Sequence, residues 1–420
     1  MHRAATVGSV STAIVPPPRR TSVDWPLAQT ISAMILCVAI AYRWSTLKST
    51  DFWVDIDVYL RGANAVIHGE DLYSVAVHGL KFTYSPFAAV VFTPFTVLPA
   101  SVHRVLFTAL SLAAYVFVIW AVARRLSLRP ATVLVIGLGG LATEPFLRTI
   151  QLGQINLILI AMVVLDVLLL RSTRRGYLVG IAAGIKIVPG IFILYFALKR
   201  DWRSMRHSAV GFVASVAVGG MVAPGETRQY WSGGFLTMDK FGETAVAGVD
   251  NQSLSAALMR GLHLSPLPTA LTVLSCVVGV ALGVAVASWQ LRRGDDAAAA
   301  TALAIGGLLG SPVSWSHHWV WVIVILLLLA HRRAWLSVWL LGALFWVGPF
   351  WTLRNAKIPE LGLSVGQQVI GGCYVLAGLG LLALLSRRGP ATGPEQAATS
   401  PLDARMASSQ GVEDAIALPL

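Results

Sequence analysis

Two carboxylates, Asp55 and Asp57, stand two residues apart in Asp51-Phe52-Trp53-Val54-Asp55-Ile56-Asp57-Val58-Tyr59, just past an apolar run. At a low-dielectric boundary the charged form of a carboxylate is disfavoured, so its pKa rises and it becomes a usable general base. Such a pair also resembles a site for a divalent cation or a nucleotide sugar, but no third ligand is near it in the chain. The plainer alternatives are a solvated loop or a helix N-terminus capped by aspartate. His317 and His318 form a second candidate, flanked by Trp315, Trp319 and Trp321. An imidazole there can meet a phosphate or steer a carboxylate, or serve a structural role among loop polar groups. Adjacent histidines on one helix point about 100° apart, so the pair by itself is no metal signature.

Lys186 is the sharpest oddity, being the only charge between Gly176 and Lys199. A charge at membrane depth is costly and implies a partner. A lipid-linked phosphate would serve; snorkelling of the long stem is the alternative. Asp166 is either that partner or a residue near the far end of its own apolar segment. The stretch Leu80-Lys81-Phe82-Thr83-Tyr84-Ser85-Pro86-Phe87 suits a lipid headgroup region, and the apolar 87–97 after it is too short to span. It reads as an interfacial or re-entrant helix. Arg148, Arg228, Lys240, Arg260, Arg354 and Lys357 lie in the connections that carry these polar residues, where cations can receive an anionic lipid.

The elements that must hold these residues are apolar. Of 420 residues, 56% are hydrophobic and 12% charged, a balance no soluble fold could bury. The net charge of +12 does not indicate nucleic-acid binding, because the arginines are spread in small groups at the ends of apolar runs. Those runs are 26–43, 103–123, 131–147, 154–170, 176–185, 187–198, 207–223, 267–290, 297–311, 318–330, 334–350 and 366–386. Runs 176–185 and 187–198 are short, meet at Lys186-Ile187-Val188-Pro189-Gly190, and have basic residues at both outer ends. A broken helical hairpin satisfies the positive-inside rule better than one straight helix. The basic groups, from Arg19-Arg20 to Arg387-Arg388, then share one side. The expectation is an all-α polytopic membrane protein of about twelve spans with both termini cytoplasmic. Residues 1–25 and 387–420 read as loose cytoplasmic tails around a membrane domain at 26–386, and 144–153 reads as one of its outer connections. Cys37, Cys276 and Cys373 lie inside apolar runs and suggest neither a disulfide framework nor a metal site.

The acidic Val54-Asp55-Ile56-Asp57-Val58-Tyr59, then Phe82-Thr83-Tyr84-Ser85-Pro86-Phe87, Gly153-Gln154-Ile155-Asn156, Gly184-Ile185-Lys186-Ile187-Val188-Pro189 and Ser311-Pro312 with Ser316-His317-His318-Trp319 occur in order. This set resembles the GT-C glycosyltransferases of actinobacteria, and within them the polyprenol-phosphate-mannose-dependent α-(1→2)-mannosyltransferases. The chain has Tyr84-Ser85-Pro86-Phe87 where the family commonly has Tyr-Pro-Pro-Phe. It offers both Asp55 and Asp57 where the family commonly has one acid.

The resemblance implies a GT-C fold with amphipathic or re-entrant helices in the first outer loop and a cavity facing the periplasm. It implies an inverting transfer of mannose from polyprenyl-phosphate-mannose to the 2-hydroxyl of a mannose on a phosphatidylinositol mannoside. Asp55 would be the base, with Asp57, His317 and His318 in support. Lys186, Tyr84, Lys357 and Arg354 would meet the donor phosphate and lipid. No metal or other cofactor is implied beyond the lipid-linked donor, and the partners are membrane lipids, donor and acceptor, with the enzyme a monomer. Two competing readings share the same spans: a flippase for a polyprenyl-linked sugar, and a GT-C transferase for another sugar such as arabinose.

Overall fold

The computed structural model describes residues 38, 40–45, 52–74, 76–234, 246–355 and 360–387. Lys240, Lys357, Cys37, residues 1–25 and 388–420 and most of the 26–43 run lie outside them. The described chain is almost wholly helical. It runs α1 Val54–His68, a two-residue hairpin pairing Ala76–Val77 with Leu80–Lys81, α2 Pro86–Thr96, α3 Ala100–Arg125, α4 Pro130–Gly140, α5 Glu144–Leu152 and α6 Asn156–Val164. It continues with α7 Tyr177–Ile185, α8 Ile193–Leu198, α9 Trp202–Val222, α10 Pro224–Gln229, α11 Leu254–Leu262, α12 Thr269–Arg292 and α13 Asp296–Gly310. The last helices are α14 Val322–His331, α15 Trp335–Val347, α16 Trp351–Asn355, α17 Val365–Gly371 and α18 Cys373–Ser386. Short 3₁₀ segments, Val188–Phe192 and Ser316–Trp321, precede α8 and α14.

This is a multi-span membrane fold. Among the described residues four helices are long and apolar enough to cross a bilayer: α3, α9, α12 and Trp335–Arg354. The count reaches six if each bent pair is one span, α4 with α5 at 58° and α17 with α18 at 70°. The outer helices show apolar side chains that water would not tolerate in such density, including Leu336 (72% exposed) and Trp339 (70%) on α15. Other apolar segments expected to cross are shorter, among them Asn156–Leu169, Val188–Leu198, Asp296–Gly310 and Ser316–His331. A 15-residue helix such as α13 reaches only about 22 Å at 1.5 Å per residue, short of a hydrocarbon core of about 30 Å. Burial explains how they manage. Every residue of α13 after Asp296 is buried, as is every residue of α14 before His331. They are core rods walled by longer neighbours.

Small residues set the closest helix contacts, as expected where lipid supplies no hydrophobic drive for association. A Cβ on Gly283 of α12 would come within 2.7 Å of the Gly306 Cα of α13. Along the α7–α9 contact, Gly176 and Gly180 face Ser204 and Ser208, and Gly184 faces Ser215. The two helices are therefore parallel, and the connection from Lys186 to Asp201 must run back between them. It does: Arg175 meets Asp201 at 3.7 Å, and His207 Nδ1 lies 2.8 Å from the Arg175 carbonyl. Both ends of the 176–198 segment thus meet at one end of the molecule, the arrangement expected of a hairpin. Asp166 sits there too. Its carboxylate accepts from the backbone N–H groups of Gly176 (2.5 Å) and Val179 (2.8 Å) and anchors the start of α7. It is not the partner of Lys186, which lies at the opposite end of α7.

One stretch differs from expectation. Residues 144–153 read as a connection but form α5, closed by Gly153 in the left-handed region (φ 71°). Glu144 and Pro145 supply an acidic first turn and a proline at a helix start, both favourable there. The apolar face of Phe146, Leu147 and Ile150 is buried.

Candidate active site

The shorter apolar segments that stop before reaching a full crossing have ends that converge on one polar cluster. Tyr84 precedes α2, Asn156 opens α6, Lys186 ends α7, and His317 and His318 open the 3₁₀ turn before α14. Ser85 fixes the first of these. As the N-cap of α2 it accepts from Ala88 N–H (3.2 Å), and its own hydroxyl donates to the Gly184 carbonyl (2.5 Å). Tyr84 is thereby tied to the end of α7.

The helix α1 separates the two carboxylates. Its start is pinned by the Trp53 backbone N–H, which donates to the Gln151 carbonyl at 2.8 Å. Residues two apart on a helix differ by about 200° in direction. Asp55 points into the polar cluster, where its Oδ2 accepts from Gln154 Nε2 at 2.6 Å. Asp57 points to α3, taking two bonds of 3.2 Å from Arg104, with His78 Nε2 at 3.5 Å. Asp57 is thus a strut between α1, α3 and the hairpin tip. Asp55 keeps part of its surface open while protein surrounds the rest. That burial pushes its carboxyl up to about 6, against the Gln154 hydrogen bond and the positive charges of Lys186 and Arg148.

Lys186 is extended where α7 ends, and its ammonium meets three uncharged partners: Asn156 Oδ1 (2.9 Å), His318 Nε2 (3.0 Å) and, more loosely, the Tyr84 hydroxyl (3.4 Å). Because an ammonium only donates, His318 Nε2 must accept, which puts the imidazole proton on Nδ1. Asn156 also donates from Nδ2 to the His317 carbonyl (3.1 Å), and Thr149 donates to that same oxygen (3.1 Å). The His317 ring itself stands edge-on to His318, centroids 4.8 Å apart. The histidine turn is further held by Glu144, which accepts from Ser316 Oγ (2.7 Å), Trp351 Nε1 (2.9 Å) and Tyr374 OH (3.1 Å).

Beside Lys186 opens a narrow groove with a cavity volume of about 50 Å³. Lys186, Asn156 and His318 form its polar edge, and residues such as Leu159, Ile191 and Phe192 its apolar wall. A cation and hydrogen-bonding groups at the edge of an apolar groove suit an anionic head on a hydrocarbon chain. Asp55 is not on that wall; Tyr84 and Gln154 connect it to Lys186.

Other expected cations go elsewhere. Arg354 pairs with Asp250 at 2.7 Å. Arg260 is fully buried and donates to the carbonyls of Ala247, Gly248, Asn251 and Gly371, so it braces the 246–253 loop and is closed to a lipid. Arg148 lies with its guanidinium 5.3 Å from the Trp351 ring centre and donates to Gln151 (2.9 Å). Sequence reasoning gave no role to Gln154, Asn156, Tyr59 or Glu144. Their signal was polarity: Gln154 and Asn156 open an apolar segment at 154–170 and are 4% and 6% exposed.

The sequence model of glycosyltransferase family 87 matches residues 82–315. The chain is 32% identical over 407 residues to a polyprenol-phosphate-mannose-dependent alpha-(1-2)-phosphatidylinositol mannoside mannosyltransferase of Mycolicibacterium smegmatis, covering 86% of this chain and 90% of that one. It is 31% identical over 355 residues to the protein of the same description from Mycobacterium tuberculosis, covering 78% of each. It is 30% identical over 410 residues to a polyprenol-phosphate-mannose-dependent alpha-(1-2)-phosphatidylinositol pentamannoside mannosyltransferase of M. smegmatis, covering 92% of this chain and 98% of that one.

Proposed function

This chain belongs to glycosyltransferase family 87, and from that membership we propose that it moves mannose from polyprenyl-phosphate-mannose to a 2-hydroxyl on a phosphatidylinositol mannoside. The observation that carries the reading is the pairing of a base and a cation that stay apart. Asp55 and Lys186 are joined through Tyr84 and Gln154, but neither makes an ion pair with the other.

In this reading the donor phosphate takes the polar edge of the groove, against Lys186 and His318, and its polyprenyl chain follows the apolar wall. Asp55 Oδ1 accepts the proton of the acceptor 2-hydroxyl as that oxygen attacks C1 of the donor mannose. The new C1–O bond forms as the C1–O bond to phosphate breaks, and the electron pair leaves with polyprenyl phosphate. Attack from the face opposite the leaving group inverts the anomeric carbon. The developing phosphate charge is stabilised by the Lys186 ammonium, a donor already in place before reaction. Polyprenyl phosphate leaves as an anion of modest basicity, so the step needs no general acid. A GT-C arrangement of about twelve crossings, with the site on the periplasmic face and both termini cytoplasmic, completes the proposal.

The test is transfer by the purified protein in vesicles supplied with both lipids. Mannolipid product from the wild type is expected, with Asp55→Asn folded but slower by about 10²- to 10⁴-fold, the usual worth of a general base. Normal turnover by Asp55→Asn removes the base. Donor movement across the vesicle without sugar transfer favours the flippase.

A further inference from the structure

Gln154 is the hydrogen-bond partner of Asp55 among the described residues, and its own orientation is held from behind. Its Oε1 accepts from the Tyr59 hydroxyl at 2.9 Å, with the Tyr84 hydroxyl 3.3 Å away and 3.0 Å from that of Tyr59, while Nε2 faces the carboxylate at 2.6 Å. Reversing the amide would set Oε1 against a carboxylate oxygen, so the network fixes which end points where. Tyr59 is 1% exposed and stacks on Phe92 with centroids 4.6 Å apart, and Tyr84 meets it edge-on at 5.1 Å. Gly153 brings the amide this close. A Cβ there would lie 3.0 Å from Ile56, the residue on α1 between the two acids, and the backbone is left-handed.

We propose that Gln154 is a positioning residue, which occupies Oδ2 of Asp55 and so presents Oδ1 to the acceptor hydroxyl. The inference rests on the mannosyl-transfer reading. The bonds also run in one sense: Lys186 donates to Tyr84, Tyr84 to Tyr59, Tyr59 to Gln154, and Gln154 to Asp55. Hydrogen bonds aligned head to tail polarise one another, so the cation that meets the donor phosphate supports the base at the far end. A donor aimed at the ionised carboxylate favours that form, and its loss makes the base easier to protonate.

The experiment reads the protonation of Asp55 without relying on turnover. The full chain in detergent is treated with a hydrophobic carbodiimide, which attacks protonated carboxyl groups, across pH 4 to 9. Modification at Asp55 is assigned by peptide fragmentation, separately from Asp57. Half-modification of the wild type is expected near pH 6. Gln154→Leu removes the donor and moves that midpoint up by about one unit. Gln154→Met keeps the length, also lacks the donor and moves it the same way. The acid limb of mannosyl transfer shifts with the midpoint in both variants, whereas a merely structural role would lower the rate equally at all pH. If Gln154→Leu does not fold, Gln154→Met carries the test. A midpoint unmoved in the folded variants overturns the proposal. Shifted midpoints in the variants, with a wild type that transfers no mannose, sink the functional reading and keep the Gln154–Asp55 coupling.

Discussion

The two ends of this molecule treat charge in opposite ways. At the basic end, Lys199 and Arg125 meet Asp296 at 2.8 and 3.5 Å, Arg332 meets Asp295 at 2.8 Å, and Arg175 meets Asp201 at 3.7 Å. Cation and anion touch, and the side chains stay partly exposed. At the other end the ammonium of Lys186 touches an amide, an imidazole and a phenol, and the carboxylate of Asp55 touches an amide. Direct pairing there occurs at the flanks, Asp57 with Arg104, Asp250 with Arg354 and Arg61 with Glu70. The lesson is that a charge held by neutral partners is kept available. A neutralised pair tethers helices. A separated pair can each take a substrate group.

The comparison breaks first at Lys186. Lys186→Met should lower the transfer rate by about 10²-fold or more, the scale of losing one preorganised charge-stabilising donor, as measured by mannolipid formation at saturating acceptor. A loss under threefold would mean that the separated cation is idle.

Acidity sharpens the contrast. With Asp55 titrating near 6, transfer should fall by about tenfold from pH 7 to pH 5 as the base is protonated. Stability receives opposing contributions over the same range. The folded pKa of Asp55 lies above its unfolded value, so its contribution is fully present below the unfolded value and lost as pH rises through 6. Acidification from 7 to 5 therefore slightly favours the folded state through this group. At the basic end, burial works against the Asp201 charge, but the Ser204 hydrogen bonds and Arg175 hold its carboxyl below the ordinary value. Its contribution is present above the unfolded value and lost only as pH falls through the lower folded one, outside this window. His317 and His318, held neutral by burial beside Lys186, pull the other way from Asp55, because in this window they take up protons only on unfolding. A transfer rate that stays flat from pH 7 to 5 would erase the distinction.

The smallest effect belongs to the basic end. Lys199→Met breaks a partly exposed pair with Asp296 and should cost at most about 1 kcal/mol of stability, with transfer within about twofold of the wild type. Thermal unfolding and the transfer assay on one preparation check both numbers.

Much of this was legible in the chain, for reasons that differ by residue. Lys186 stood out because a lone charge in an apolar run must be satisfied, and basic residues at both ends of 176–198 encoded the reversal now seen in the parallel run of α7 and α9. The Asp-x-Asp pair was legible as a candidate but not as a choice. Which acid faces the cluster depends on the phase of α1, set by a bond from Trp53 to Gln151, nearly one hundred residues on. Gln154 and Glu144 carry polarity in the sequence but no role, because an uncharged amide, or an acid at a helix start, gains its partners only when the fold surrounds it. The 144–153 stretch was misread as a loop for a related reason. Glu144 and Thr149 of α5 are satisfied by tertiary partners, Trp351, Tyr374 and the His317 carbonyl, and pattern alone cannot show them.

The backbone-to-backbone seam of Gly283 on Gly306 reaches further than its own two helices. α13 ends at Gly310, and the chain passes from there through Ser311 and Pro312 to the turn that carries His318. Side chains at a seam can yield by changing rotamer; bare backbone cannot. The distance between α12 and α13 is therefore a fixed gauge, and it sets the height at which His318 is delivered to Lys186, far from any atom that a sugar would touch.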